Sequence, residues 1–351
     1  MVKYQEIIEK LTLEQKLSLL ADISSLAGEE FAELGLRCIT ETSMDGVNAG
    51  RGKERYPSFS GLVNSWNTRL LSEVSDSLAK TAKAQGATLL CTPSANVAST
   101  PYTLGLSEDP YFTGVASGVV AGAGKRVGIK TYLADPSLTQ TDVEFSDLTP
   151  SARALNEYFA KPFELALKYG AGGLETARTQ LGGEYKEVNG EWLKKLEKKT
   201  PVIYDCKDAQ DILSLVRAGD KLCKNGSYET LKAAAEKYTS MREAFEAGQI
   251  SLGEIEAECR QGKALSPDDI DEAVDKVIEF TFACKNMKAT GGAKETIKPE
   301  ELLQVVAEES IVLLKNDKAL PLKKRESVAI VGDLANIAEV ESVKDCAEAL
   351  A

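Results

Sequence analysis

The chain has 351 residues, 43% hydrophobic and 27% charged, with 42 Lys and Arg against 54 Asp and Glu for a net charge of −12. This is enough for one large domain, or a large one with a small neighbour, since single cores stop growing near about 250–300 residues. The acidic balance argues against a nucleic-acid partner. The absence of any run of ~18 apolar residues argues against a membrane span, and the first residues carry no apolar signal core.

The sequence contains no histidine. That removes Ser-His-Asp and Cys-His nucleophile systems and leaves catalytic zinc without its usual imidazole. Acid–base chemistry then falls to carboxylates, Lys, Tyr or Cys. The seven cysteines are Cys38, Cys91, Cys206, Cys223, Cys259, Cys284 and Cys346. They are odd in number and form no C-x-x-C pair, which reads as buried reduced thiols in a cytoplasmic protein. No metal, nucleotide or other cofactor is expected.

Leu11–Leu20 opens a helix, with Thr12 and Gln15 at capping-box spacing and Leu13, Leu17 and Leu20 on one face. Met44–Gly52 is a glycine-rich loop without phosphate-loop spacing. The spacing of Leu70, Leu71, Val74 and Leu78 predicts a helix over Thr68–Ala84. Ala87–Pro93 reads as a short buried strand ended by proline. Ser107–Tyr111 opens a helix rich in small residues (Gly118, Ala121, Gly122, Ala123, Gly124), suited to close packing against a sheet. Val127–Tyr132 is a further strand, Leu155–Tyr169 an amphipathic helix closed by Gly170, and Gly172–Arg178 another strand.

Pro201–Asp205 runs β-friendly residues into a carboxylate, with a helical run from Ala209 to Gly219 close behind. An acid at the C-terminal tip of a strand is where β/α enzymes place working groups; Asp is also a favoured N-cap, so Asp205 reads either way. From Tyr228 to Met287 the chain turns helical and highly charged, and Pro299–Leu314 reads as a helix. Val328–Gly332 starts a new strand. The alternation over the first ~220 residues is the pattern of a parallel sheet or a β/α barrel. The expected organisation is a barrel-type domain over 1–289, a linker and helix over 290–324, and the start of an α/β sandwich domain over 325–351.

A series of segments resembles glycoside hydrolase family 3, the β-glucosidase-like enzymes, in the family's order. They are LTLEQKLSLL (Leu11–Leu20), MDGVNAGRG (Met44–Gly52), YPSFSGLVNSWNTRLLSEV (Tyr56–Val74), GATLLCTPSANV (Gly86–Val97) and LSEDPYFTG (Leu106–Gly114). VGIKTYLAD (Val127–Asp135), SARALNEYFAKPFELALKYG (Ser151–Gly170), EYKEVNGEW (Glu184–Trp192) and VIYDCKDAQDILSLVRAGDKL (Val202–Leu222) continue the series. EESIVLLKNDKALPL (Glu308–Leu322) and VAIVGDLAN (Val328–Asn336) resemble the family's entry into its second domain.

The resemblance implies an α/β fold with a TIM-like (β/α) barrel, complete or incomplete, and retaining hydrolysis of β-glucosides. Asp205 falls on the nucleophile position and Asp45 on a sugar-binding Asp. Lys130 falls on a Lys that donates to a sugar hydroxyl, and Tyr185 on a Tyr that orients the nucleophile. From the residues alone, Asp45 before Gly46 also reads as a turn residue. Lys130 also reads as a structural cation, and Tyr185 as a packed aromatic. Glu108-Asp109-Pro110 reads as a helix entry. The implied partners are a small carbohydrate and either a second copy of the chain or the rest of a second domain. The chain departs from the family at Thr131, where the family has His, and near Val143, where it has an arginine. The Asn96–Pro110 loop also lacks the family's Gly-Arg-Asn segment. These losses support a second reading, in which a catalytically degenerate homologue binds carbohydrate or regulates. A fragment of a longer glycosidase is a third.

Overall fold

The computed structural model describes residues 3–25, 29–36, 39–44, 47, 56–93, 95–97, 105–133, 151–176, 178–181, 184–187, 200–206, 209–219, 221–291, 297–322, 330–331 and 342–343. The chain divides into two compact units, Met1–Ile311 and Val312–Ala351.

In the first unit, helices α1 (Gln5–Ile8), α2 (Leu13–Ala21) and α3 (Glu29–Glu33) lead into strand β1 (Glu41–Ser43). Then come α4 (Phe59–Val63), α5 (Thr68–Ala84), β2 (Leu89–Thr92), α6 (Pro110–Val127) and β3 (Lys130–Leu133). A helical turn at Ala152–Ala154 continues as a π-helical segment, Leu155–Phe159, before α7 (Lys161–Tyr169). Strands β4 (Leu174–Thr176), β5 (Arg178–Leu181), β6 (Glu184–Glu187) and β7 (Val202–Asp205) follow. Next are α8 (Ala209–Ala218), β8 (Leu222–Lys224), α9 (Tyr228–Glu246), α10 (Leu252–Arg260), α11 (Pro267–Lys285) and α12 (Pro299–Glu309).

Six of the strands form one sheet in the order β1-β2-β3-β4-β7-β8, and every pairing in it is parallel. Spatial order follows chain order, with no reversal. A doubly wound sheet reverses at a switch point; an unreversed run of parallel strands is instead the arrangement of a β/α barrel. The sheet is a half-barrel of α/β type, and among the described residues no pairing closes β8 onto β1.

Local signals explain most of the helix ends. Thr12 and Gln15 form a reciprocal capping box at the start of α2. The Asp109 carboxylate accepts from the Phe112 amide at 2.5 Å, with Pro110 at the first helical position of α6. The N-terminus is tied to α11, because the buried Asp275 carboxylate accepts from the Lys3 and Tyr4 amides at 2.8 and 2.7 Å.

Strand β2 shows how the layers divide. Leu89 and Cys91 enter one core, with residues of α2, α8 and α11, while Leu90 enters the other, with residues of α4, α5 and α6. That is the period-two alternation of a strand buried on both faces.

Three sequence expectations change. The predicted strand Gly172–Arg178 is two strands in different sheets. β4 joins the half-barrel, and β5 turns away to pair antiparallel with β6. The helix predicted to run to Leu314 ends at Glu309; the Ser310 hydroxyl donates back to the Val306 carbonyl at 2.7 Å, and Ile311–Leu314 are exposed and non-helical. The small residues of α6 serve helix–helix packing as much as helix–sheet packing. A Cβ on Gly114 would sit 2.6 Å from Leu165 Cβ, and one on Gly118 2.4 Å from Tyr169 Cβ, both on α7. On Gly124 it would sit 2.2 Å from Thr131 Cγ2 on β3.

In the second unit, β9 (Ile330–Val331) and β10 (Ser342–Val343) pair in parallel. Helix α12 belongs to the first unit, where Leu302 and Val306 are buried in the core of α4–α6.

Gly118→Ala tests the α6–α7 contact. In an open helix that change stabilises by about 1 kcal/mol, but overpacking costs about 1–3 kcal/mol, and Tyr169 Cβ sits too close to its own backbone to swing away. Urea denaturation is expected to show a net loss of stability.

Candidate active site

The C-terminal edge of the half-barrel is set by strands that end in polar residues. β7 ends at Asp205 and β8 at Lys224, and the two are register partners. The Cys206 amide donates to the Lys224 carbonyl at 2.8 Å, carrying the pairing one residue further. Helix α8 starts only at Ala209, so Asp205 belongs to the strand and does not flank the helix as its N-cap.

Inside the curl, three charged groups from widely separated strands meet. Lys224 Nζ donates to Glu41 Oε1 on β1 at 2.8 Å and to Glu175 Oε1 on β4 at 3.1 Å. These three side chains are only 12–23% exposed. The same ammonium lies 6.0 Å from the centre of the Tyr132 ring on β3. Burial alone would lower the Lys224 pKa, but the hydrogen bond to Glu41 and the charges of Glu175 and Glu41 outweigh it, so the group is held above its ordinary value.

Two neutral groups share this interior. Burial pushes the Cys91 thiol up to about 12, with Glu175 and Glu41 adding to the shift. Burial likewise raises the Tyr132 phenol, and Cys91, Glu175 and Glu41 push it the same way. Tyr132 is 1% exposed, and among the described residues its hydroxyl has no hydrogen-bond partner of ordinary geometry. Among the described residues no group of three His, Cys, Asp or Glu is arranged to hold a metal ion.

The sequence-nominated residues fall in different places. Asp205 is at the C-terminal edge. Asp45 lies outside the described residues, two positions beyond Ser43, which ends β1. Tyr185 lies on the β5–β6 hairpin, paired with Gln180, and the hairpin begins two residues beyond the C-terminal end of β4. Lys130 is the first residue of β3, at the N-terminal edge, with its ammonium 5.3 Å from the Phe280 ring centre. The structure therefore does not bring Lys130 to the edge that carries Asp205. Thr131 is buried, and its hydroxyl donates to the Ala121 carbonyl on α6 at 3.0 Å, away from the interior.

Glu41, Glu175 and Lys224 were not singled out in the sequence. Strands of three residues show no period, and Leu222–Lys224 sits directly behind a helix.

No family model matches the chain. It is similar to the probable β-glucosidase J of Neosartorya fischeri, 27% identical across 95% of this chain and 40% of the relative. It is also similar to a β-glucosidase of Rhizobium radiobacter, 26% identical across 95% of this chain and 41% of the relative. The chain thus spans about two fifths of the length of these curated relatives.

Among solved structures, the β-glucosidase of Kluyveromyces marxianus in complex with glucose superposes with a TM-score of 0.67 at 21% identity, over 95% of this chain and 42% of that one. A family 3 β-glucosidase of Bifidobacterium adolescentis also gives 0.67 at 21%, over 94% and 48%. At these identities the likeness shows the fold. With the sequence similarity, it makes the chain a divergent relative of glycoside hydrolase family 3.

Lys224→Met would leave two partly buried carboxylates without their cation, a loss of roughly 3 kcal/mol. Urea denaturation of Lys224→Met, Glu41→Gln and the double variant is expected to show coupling between the positions; additive losses would place the pair outside any structural role. Burial raises all three thiols, Cys91 and Cys284 to about 12, and Cys259 is partly exposed where the other two are buried, so iodoacetamide at pH 8 is expected to label Cys259 well before Cys91 or Cys284.

Proposed function

We propose that the chain is the barrel part of a retaining β-glucosidase of the family 3 type, with Asp205 as the nucleophile. The observation that carries the reading is the position of Asp205. It is the last residue of a strand in a parallel, chain-ordered half-barrel, at the edge where β/α enzymes keep their chemistry. The solved enzymes that share this fold include one crystallised with glucose, so a β-linked glucoside is the proposed substrate class.

In this mechanism the Asp205 carboxylate attacks the anomeric carbon as the aglycone leaves. Water then hydrolyses the glycosyl-enzyme ester with net retention. Asp45 follows the C-terminal end of β1 in the chain and is proposed to accept hydrogen bonds from ring hydroxyls. Tyr185, on the hairpin leaving the C-terminal end of β4, is proposed to orient the nucleophile. Lys130 has no part in the proposed sugar contacts, since its side chain is on Phe280 at the other edge. Lys224, the register partner of Asp205, is the cation that fixes the electrostatics of the mouth.

A second reading rests on a separate observation: Thr131 is turned into α6, and the Lys224 ammonium is already shared by two carboxylates. In that reading the chain keeps the fold and has lost turnover, or works only as part of a longer glycosidase.

Turnover of an activated aryl β-glucoside separates the two. Wild type is expected to hydrolyse it, and Asp205→Asn to lose activity by roughly 10³-fold or more, as nucleophile removal does elsewhere. A wild-type chain that neither turns over nor traps a 2-fluoroglucosyl adduct decides for the second reading.

A further inference from the structure

Trp66 is 68% exposed, yet the connection that carries it is fixed on every side. Residues 64–67 join α4 to α5. The Trp66 amide donates to the Val63 carbonyl at 3.0 Å. Ser65 Oγ donates to the Leu62 carbonyl at 2.7 Å and accepts from the Asn67 amide at 3.2 Å. The Asn67 side chain accepts from the Arg69 and Leu70 amides at the start of α5, and donates to Glu309 Oε2 of α12 at 3.0 Å. Between these anchors Trp66 takes a φ of 53°, a left-handed conformation rare for a bulky side chain.

The indole is fixed as well. Its ring lies 4.1 Å from that of Phe112 at 11°, a parallel stack, and Phe112 packs on the core of α4–α6. An exposure of 68% with one face stacked leaves the opposite face open to solvent. A solitary exposed aromatic needs no explanation; a rigid plate held in a disfavoured backbone conformation does. Its place in the fold supplies one. Helix α5 ends five residues before β2, and α6 ends three residues before β3. Those ends meet the N-terminal edge of a parallel sheet, so the helix starts, with Trp66 and Phe112, lie toward the C-terminal edge that carries Asp205. Tyr111, next to Phe112, is 60% exposed on the same side.

We propose that the open face of Trp66 is a platform for one ring of a β-linked gluco-oligosaccharide, a proposal that rests on the β-glucosidase reading. In β-glucose the ring hydroxyls are equatorial, so each face presents C–H bonds. These meet the negative face of an indole, while the hydroxyls stay in water at the rim. The residues flanking Trp66 in the chain, Asn64, Ser65, Asn67 and Thr68, are all polar, which suits such a rim. An apolar partner would need a wider patch than one plate.

The test uses the whole chain with Asp205→Asn, which stops turnover, and Trp192→Phe, which leaves Trp66 the one tryptophan of two. Cellotetraose is expected to change Trp66 emission saturably, and α-linked maltotetraose to bind more weakly. By calorimetry, Trp66→Ala is expected to weaken cellotetraose about tenfold, and Trp66→Phe to retain most of the affinity. Unchanged emission, equal affinity for the two sugars, or a folded Trp66→Ala chain that binds as before overturns the proposal. So does emission that shifts with protein concentration in the absence of sugar, which assigns the plate to a second copy. Should Trp66→Ala not fold, peptide mapping of Trp66 oxidation by N-bromosuccinimide in the unsubstituted chain decides, with protection by cellotetraose expected. Trp66-dependent binding without turnover of an aryl glucoside removes the hydrolase reading and keeps the platform; turnover without that binding removes the platform alone.

Discussion

The ion triad Glu41–Lys224–Glu175 is the constraint on which the shape of the first unit depends. β1 and β8 are the two outermost strands of the six. In a flat sheet five inter-strand spacings would hold them about 24 Å apart, far beyond the combined reach of a lysine and a glutamate. The 2.8 Å contact between Lys224 and Glu41 therefore requires the sheet to curl until its first and last strands face each other across a shared interior. Glu175, from the middle of the arc, reaches the same ammonium at 3.1 Å. A buried ion group of this kind is not chiefly a source of stability, since desolvation offsets much of the attraction. Its effect here is geometric: it specifies one curvature and one relative placement of β1, β4 and β8, and so of the edge that β7 shares with β8.

Curvature in turn depends on the outer layer. Helix α6 must approach both β3 and α7 closely for the arc to be covered, and its glycines allow this. Gly124 gives way to Thr131 on one side, while Gly114 and Gly118 give way to α7 on the other. The Thr131 hydroxyl, donating to Ala121, binds the same helix to the same strand. Thr131, where the family resemblance implies a histidine, is thus part of the wall.

Legibility in the sequence followed the range of the interaction responsible. The capping box of Thr12 and Gln15, the Asp109-Pro110 helix entry and the buried run Leu89–Thr92 are all encoded within a few residues, and each forms where the pattern places it. Asp205 was legible because a strand run ends on it. The triad was not. Its members are separated by 183 and 49 residues, and β1, β4 and β8 have three residues each, too few for alternation to show. The misplaced end of α12 has the same origin: Ile311–Leu314 continue an apolar run, but these residues are exposed.

The energetics of sugar binding sharpen the choice between an active and a degenerate barrel. Each charged or polar donor lost from a sugar site removes about 1.5–3 kcal/mol. The family resemblance counts three such losses: the histidine, the arginine near Val143 and the arginine of the shortened loop. Together they correspond to roughly 10³–10⁶ in transition-state binding if nothing replaces them. Among the described residues, the interior offers the cation Lys224, the register partner of Asp205. Its ammonium is already held by Glu41 and Glu175, so a sugar hydroxyl or a developing charge would have to compete with two carboxylates for it. Under the proposed reading the grip on the sugar falls to Asp45 and Tyr185. In a barrel without turnover, the same three charges need no ligand to be satisfied.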